Sequence, residues 1–469
     1  RGVGMSFLIV LAALCFLMFV AYRGYSVILF APIAALGAVL LTDPALVAPM
    51  FTGLFMDKMV GFLKLYFPVF LLGAVFGKLI EISGFSKSIV AATIKVVGAQ
   101  RAMLSIVLVC ALLTYGGVSL FVVVFAVYPF AAELFRQSDI PKRLVPGTIA
   151  LGAFTFTMDA LPGTPQIQNI IPTSFFGTTS WAAPILGTLG GVFILSLGMT
   201  YLEWRRRVAF RAGEGYGSDL RNEPEIFRGD RLAHPLIAIL PLLLVGVANF
   251  AFTKLIPGFY GQSQSFIPAV IGNPAPVVQE VSKVAAIWAV QGALLVGIVA
   301  VILFAWKPVL ASFAEGTRSA IGGALLASMN TASEYGFGAV IAALPGFLVV
   351  ADTLKAIPDP LVNEAVSVTA LAGITGSASG GMSIALAAMA ESFIANANAA
   401  GIPMEVLHRV ASMASGGMDT LPHNGAVITL LAVTGLTHRQ SYKDIFAITA
   451  IKTLAVFFII GMYYATGLV

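Results

Sequence analysis

Thr157-Met-Asp-Ala-Leu-Pro-Gly-Thr-Pro165 lies inside a long apolar stretch, and its pattern returns at Gly417-Met-Asp-Thr-Leu-Pro-His-Asn-Gly425. Asp159 and Asp419 stand 260 residues apart. An acid followed by proline and glycine continues a helix poorly, since proline lacks an N–H and glycine loosens the backbone. In mid-bilayer such a break exposes backbone groups, and it is tolerated only where protein or a cavity surrounds it. The two stretches therefore read as two broken spans that face something polar.

Composition agrees with a bilayer setting. The chain is 58% hydrophobic and 10% charged, with mean hydropathy +0.94. A soluble chain of 469 residues needs far more charge to cover its surface. The net charge of +5 is scattered through short loops and makes no nucleic-acid patch. Cys15 and Cys110 lie in apolar runs without metal or disulfide spacing, so both read as small hydrophobes, and no cofactor is expected. Met5–Tyr22 lacks a basic leader and a small-residue cleavage site, and reads as a retained span.

Apolar windows mark spans at 5–22, 26–42, 61–80, 184–202, 235–253, 285–305, 322–350 and 444–468. Ala102–Ala132 is uncharged throughout. As one helix it would run to about 47 Å, too long for a core of about 30 Å. Thr114-Tyr-Gly-Gly-Val-Ser119 at its centre predicts a re-entrant hairpin over 102–135, followed by a broken helix over 144–178. Thr375-Gly-Ser-Ala-Ser-Gly-Gly-Met-Ser383 likewise predicts a hairpin over 361–398, followed by a broken helix over 406–436.

The two halves overlay. Gly73-Ala-Val, Gly116-Gly-Val-Ser, Ile140-Pro and Met158-Asp recur as Gly338-Ala-Val, Gly380-Gly-Met-Ser, Ile402-Pro and Met418-Asp. The steps between anchors are 43, 24 and 18 residues against 42, 22 and 16. Each half then crosses five times, and an odd number inverts the second half. The expected fold is an all-α polytopic membrane protein of two inverted repeats, 1–204 and 234–469, with a cytoplasmic linker at 205–233. Loop charge orients it: Arg205, Arg206, Arg207, Arg211, Arg221, Arg228 and Arg231 fall inside, and only Lys58, Lys254, Lys283, Lys355 and Arg409 outside.

Breaks and tips free backbone N–H groups at helix starts, where the dipole is positive, so a small anion needs no arginine there. None is expected at mid-membrane. The candidate substrate-binding set is Thr114, Gly116, Gly117 and Ser119 at the first tip, and Gly163, Thr164, Gln166 and Asn169 in the first break. The second tip adds Ser377, Ser379, Gly380, Gly381 and Ser383, and the second break adds His423 and Asn424. Such a neutral, donor-rich pocket suits a small hydroxylated carboxylate. Asp159, Asp419, His423 and Glu334 are ionisable groups inside the membrane and the candidates to carry a proton. Blander roles compete. The two Asp residues can cap half-helices, His423 can be a satisfied buried histidine, and Glu334 can close an interhelical hydrogen-bond network with Asn330, Thr331 and Ser333. Lys64 and Lys452 are expected to snorkel, and Arg409, Glu391 and Glu133 to sit at the interface.

Leu72-Gly-Ala-Val-Phe-Gly-Lys-Leu79, Tyr115-Gly-Gly-Val-Ser119, Met158–Pro165 and Ser415-Gly-Gly-Met-Asp-Thr-Leu-Pro-His-Asn-Gly425 together resemble the gluconate permease family of the ion transporter superfamily, over essentially the whole chain. Within it the chain is most similar to 3-hydroxybutyrate permease-like members. The resemblance implies proton-coupled symport of a small hydroxycarboxylate across a bacterial inner membrane. It also implies a homodimer whose hairpins and broken helices slide past a scaffold as an elevator. Sodium-coupled members carry Ser-Asn-Thr signatures at the breaks, whereas this chain has Asp-x-Leu-Pro, so sodium coupling ranks second. An anion channel or an intramembrane hydrolase with an Asp159–Asp419 dyad ranks lower, because neither explains a duplicated break. The chain is not expected to be an enzyme.

Overall fold

The computed structural model describes residues 2–118, 120–224, 231–422 and 424–469. The first apolar run forms α1 (Gly2–Tyr22), which pairs with α2 (Val27–Thr42). Asp43 ends α2 by accepting a hydrogen bond from Ala45 N at 3.1 Å, and a turn containing α3 (Val47–Met50) leads into α4 (Met56–Ile82). Gly84, with φ of 78°, reverses the chain into α5 (Phe85–Val97). The path then bends by 104° into α6 (Ala102–Tyr115) and returns through α7 (Leu120–Gln137).

The first broken helix consists of α8 (Val145–Ala153), the single turn α9 (Phe156–Asp159) and α10 (Ile167–Phe176), and α11 (Pro184–Arg211) follows. The second half begins with α12 (Pro235–Tyr260) and α13 (Val281–Phe304), then α14 (Trp306–Ala342) and α15 (Phe347–Leu354). A helical hairpin, α16 (Pro360–Thr375) with α17 (Ala378–Ala399), precedes the second broken helix, α18 (Met404–Ser415) and α19 (Gly425–Thr434). The last helix is α20 (His438–Thr466). Among the described residues seven helices are long and apolar enough to cross a membrane, and up to nine if each of two sharply bent pairs counts as one span. The chain is a multi-pass membrane protein.

Three expectations need correction. The span placed at 322–350 is instead α14, which starts at Trp306 and stops at Ala342. Pro345-Gly346 follows, and α15 leaves at 89°. The fold is not purely helical either. β1 (Ser263–Phe266) and β2 (Val277–Glu280) form an exposed antiparallel ribbon between α12 and α13, closed by a proline-rich turn. In the second hairpin the chain turns at Gly376 (φ 66°), and Gly380-Gly381 lie inside α17. Ser377 accepts a hydrogen bond from Gly380 N at 3.1 Å, and this cap starts the helix early.

Packing divides the helices into two groups. α14 lies along α4, α17 and α2, while α12 and α13 pair and cover α4 and α5. In the other group α6 packs on α8 and α16 on α18. There α19 rests on α7, α10 rests on α17, and α11 and α20 close the bundle.

The linker is docked as far as Pro224. The buried ammonium of Lys142 donates to Arg221 O at 2.7 Å and pairs with Glu223 at 2.8 Å. Arg143 forks onto Glu214 at 2.7 and 2.9 Å, and that bond holds the Glu214 carboxyl below the usual glutamate range. Asn222 Nδ2 reaches Ala432 O at 2.9 Å. Lys142→Met removes a buried charge-assisted hydrogen bond worth about 1.5–3 kcal/mol. Limited trypsin digestion should then cut the variant at Arg205–Arg221 several-fold faster than the parent protein.

Candidate functional site

Break 1 frees carbonyls at the ends of α8 and α9: Thr155 and Thr157 hydroxyls meet Leu151 O and Gly152 O at the end of α8, and α18 supplies the donors to Asp159 O. Arg409 is fully buried on α18. Its Nη1 donates to Asp159 O at 2.6 Å and Asn169 Oδ1 at 3.0 Å, and its Nη2 donates to Ala182 O at 2.7 Å. Ser412 Oγ also donates to Asp159 O, at 2.8 Å. The expectation of an interfacial Arg409 and an arginine-free midplane is thus overturned. The freed carbonyls demand donors, and a planar guanidinium meets three acceptors at once.

Asn169 organises the rest of this joint. Its Nδ2 donates to Thr164 O at 2.9 Å and Ser180 O at 2.8 Å, while its Oδ1 accepts from Arg409 and from His408 Nε2 at 3.0 Å. His408 Nδ1 is in turn hydrogen-bonded to the Thr178 hydroxyl. Thr164 Oγ1 is likewise used internally, on Thr157 O at 2.6 Å.

The acids meet where the two breaks cross. Asp159 is buried against Gly416, and a Cβ at that glycine would stand 1.9 Å from Asp159 Oδ2. Asp159 lies within electrostatic reach of Lys452, Asp419 and Arg409. Lys452 does not snorkel: it is 2% exposed, ion-paired with Asp419, and 3.4 Å from Phe154 O at the end of α8. Lys64, by contrast, is exposed.

Each tip is tied to the break in its own half by a side-chain amide. Gln166 Nε2 donates to Thr114 O at 2.8 Å and Val118 O at 3.1 Å, and Tyr115 OH donates to Pro162 O at 2.7 Å. Asn424 Nδ2 donates to Gly376 O at 2.6 Å, while its Oδ1 caps α19 through Ala426 N and Val427 N. Ser119 and His423 lie outside the described residues. Glu334, on α14, faces the second hairpin at Gly380, whose missing side chain makes room for the carboxylate. The bond between these helices runs from Thr331 Oγ1 to Ser379 Oγ at 3.1 Å, and Glu334 Oε2, Ser333 Oγ and Ser383 Oγ have no hydrogen-bond partner among the described residues.

A cavity of about 660 Å³ separates the two helix groups beside the first tip. Gly117, Leu120 and Phe125 line it from the hairpin, Gln166 and Gln168 from the start of α10, and Lys78 with Glu81 at the end of α4. Gln168 is 8% exposed and its Oε1 has no partner among the described residues. Glu334 lies seven residues beyond Ala327, the last wall residue on α14, or about 10 Å further along the helix. The predicted residues are therefore dispersed: Gly117 and Gln166 line the cavity, Thr164 and Asn169 belong to the Arg409 joint, Asp159 and Asp419 stand at the crossing, and Glu334, Ser379, Gly380 and Asn424 sit at the second tip.

Sequence reading missed Gln168, Lys452, His408, Arg409 and the buried Glu364 of α16. Gln168 had a signal, because it shares the first turn of α10 with the break motif. Lys452 and Arg409 had none beyond being charges in apolar helices.

The sequence has a relative along its whole length. It is 60% identical over 474 residues to the uncharacterized transporter YxjC of Bacillus subtilis (strain 168), covering 99% of this chain and 100% of YxjC. The chain belongs to the YxjC transporter family. No family model matches it. Its fold is also similar to the crystal structure of the Alcanivorax borkumensis YdaH transporter, with TM-score 0.50 at 14% identity, covering 91% of this chain and 90% of that one. That likeness concerns the fold alone.

Arg409→Lys should not substitute at this joint, because an ammonium cannot reach three acceptors held in a fork. Buried acceptors left unpaired cost about 1–3 kcal/mol each. The variant should melt well below the parent protein in detergent, and unchanged melting would remove Arg409 from its assigned role.

Proposed function

We propose that the chain is a secondary active carrier that takes a small hydroxycarboxylate into the cell together with a proton. The observation that carries the proposal is the cavity at the first tip. It is large enough for such an acid, and it reaches from Lys78 at the end of α4 to the N-terminal turn of α10. There Gln168 offers an amide with an unpartnered oxygen, and helix-start N–H groups suit a carboxylate. The amide suits hydroxyls. Thr114, Gly116, Gly163, Thr164 and Asn169 in the first half, and Ser377, Ser379, Gly380, Gly381, Ser383 and Asn424 in the second, remain proposed site residues that do not line this cavity.

The two halves are proposed as inverted repeats, 1–204 and 234–469. The pairing of α19 with α7 and of α10 with α17 supports this reading, since each break's second half-helix rests on the opposite hairpin. Hairpins and broken helices would move as one body against α4 and α14, as an elevator. In the orientation set by the loop arginines the cavity opens inward. Asp159, Asp419 and Glu334 are the proposed proton carriers, with 3-hydroxybutyrate or a gluconate-like acid as substrate. The resemblance to gluconate permeases adds a homodimer in a bacterial inner membrane.

Counterflow in proteoliposomes with labelled 3-hydroxybutyrate, gluconate, lactate and citrate tests the substrate class. Uptake should follow an imposed pH gradient and ignore a sodium gradient, and the reverse would end the proton reading. Gln168→Leu should lower uptake about 2- to 10-fold, the loss expected for one neutral hydrogen bond to a substrate hydroxyl. Its melting temperature should stay unchanged, because the Gln168 oxygen holds nothing inside the protein.

A further inference from the structure

We propose that the ammonium group of Lys452 is a tethered cation, standing where an ion-coupled carrier would bind a monovalent metal ion. This rests on reading the chain as a carrier, and it explains how such a carrier can dispense with sodium. Lys452 projects from the middle of α20 into the crossing of the two broken helices and is 2% exposed. Its polar partners among the described residues are two oxygens: the Asp419 carboxylate from break 2 and the Phe154 carbonyl from break 1, at 3.4 Å. Phe154 caps the C-terminal end of α8, where unpaired carbonyls and the negative end of the dipole attract a cation. A freed carbonyl at a half-helix end together with a carboxylate is the donor set that holds a hard monovalent ion inside a carrier.

Charge balance points the same way. Asp159 and Asp419 face Lys452 at the crossing. Tyr442, from α20 itself, stands near Asp419 and donates to Thr420 O at 2.9 Å. Arg409 spends its Nη donors on Asp159 O, Asn169 and Ala182, so Lys452 is the cation bonded to the break 2 acid. Burying an ammonium costs several kcal/mol, and an apolar side chain of equal size would pack at less cost. The charge itself is therefore what the position requires. Cutting the side chain back leaves the Asp419 carboxylate and the Phe154 carbonyl around a vacated, oxygen-lined space. Thr420 follows Asp419 in the chain and Thr449 precedes Lys452 by three residues, and their hydroxyls are bonded to each other. A small cation fits that chemistry.

The test needs no substrate, so it fails or succeeds apart from the transport reading. Melting temperatures of full-length Lys452→Ala and Lys452→Gln in detergent are compared in sodium chloride and in choline chloride at equal ionic strength. The expected result is a saturable rise of about 2–4 °C with sodium in both variants, as for a ligand that binds only the folded state, and no sodium effect in the parent protein or in Lys452→Arg. Sodium stabilisation of the parent protein or of Lys452→Arg would overturn the proposal. So would folded neutral variants that melt alike in both salts, or neutral variants that fail to fold in either, since sodium would then not replace the ammonium.

Discussion

The main-chain carbonyl of Asp159 has no helical partner, and Arg409 and Ser412 both supply one from the other half of the chain. A broken helix in a bilayer is a debt of unpaired backbone groups that water cannot settle. Here the first break is closed by a guanidinium, and that guanidinium is held by Asn169, which also fastens the Thr164 and Ser180 carbonyls. Remove this joint and α10 loses its position. The cavity wall that α10 provides would go with it, along with the approach of Asp159 to Asp419. Polar groups that look like ligand-binding candidates in the sequence are thus divided between maintaining the break and facing the cavity.

The amide ties extend that logic to the tips. Gln166 and Asn424 each reach back from a break to the hairpin of the same half, and they do so with the same chemistry, a side-chain N–H onto a turn carbonyl. A tip and its break therefore hold a common geometry. Contacts across to α4, α12 and α14 are mixed. Around the cavity they are mainly apolar walls, and the second hairpin meets α14 through the Thr331–Ser379 bond and the close fit of Glu334 at Gly380. Deeper in, Tyr66 of α4 donates to Ile171 O of α10 at 2.9 Å, and Asn249 of α12 donates to Gly163 O at 3.2 Å.

Much of the fold was legible because its signals are local. Proline and glycine inside apolar runs mark the breaks, and the 31-residue uncharged stretch Ala102–Ala132 is too long for a single crossing. Turn positions were less legible. Gly380-Gly381 looked like the counterpart of Gly116-Gly117, yet Ser377 moves the start of α17 ahead of it. The site was legible only in outline. Arg409 and Lys452 read as interfacial in the sequence because a charge near a span end usually snorkels, and the break 1 carbonyls they reach lie hundreds of residues away. No window along the chain brings Arg409 beside Asp159 or Lys452 beside Phe154; only the crossing does.

That distance along the chain has a consequence for how the protein is made. Arg409 follows Asp159 by 250 residues, and at 5–20 residues per second a ribosome needs about 12–50 s to supply it. Throughout that interval the first break exists without the side chain that closes it. The first half must wait in the membrane with open carbonyls, sheltered by lipid headgroups, water or an insertion factor. The newborn chain is then a different molecule from the finished one, and its most vulnerable point is the stretch that later becomes its best-fastened joint.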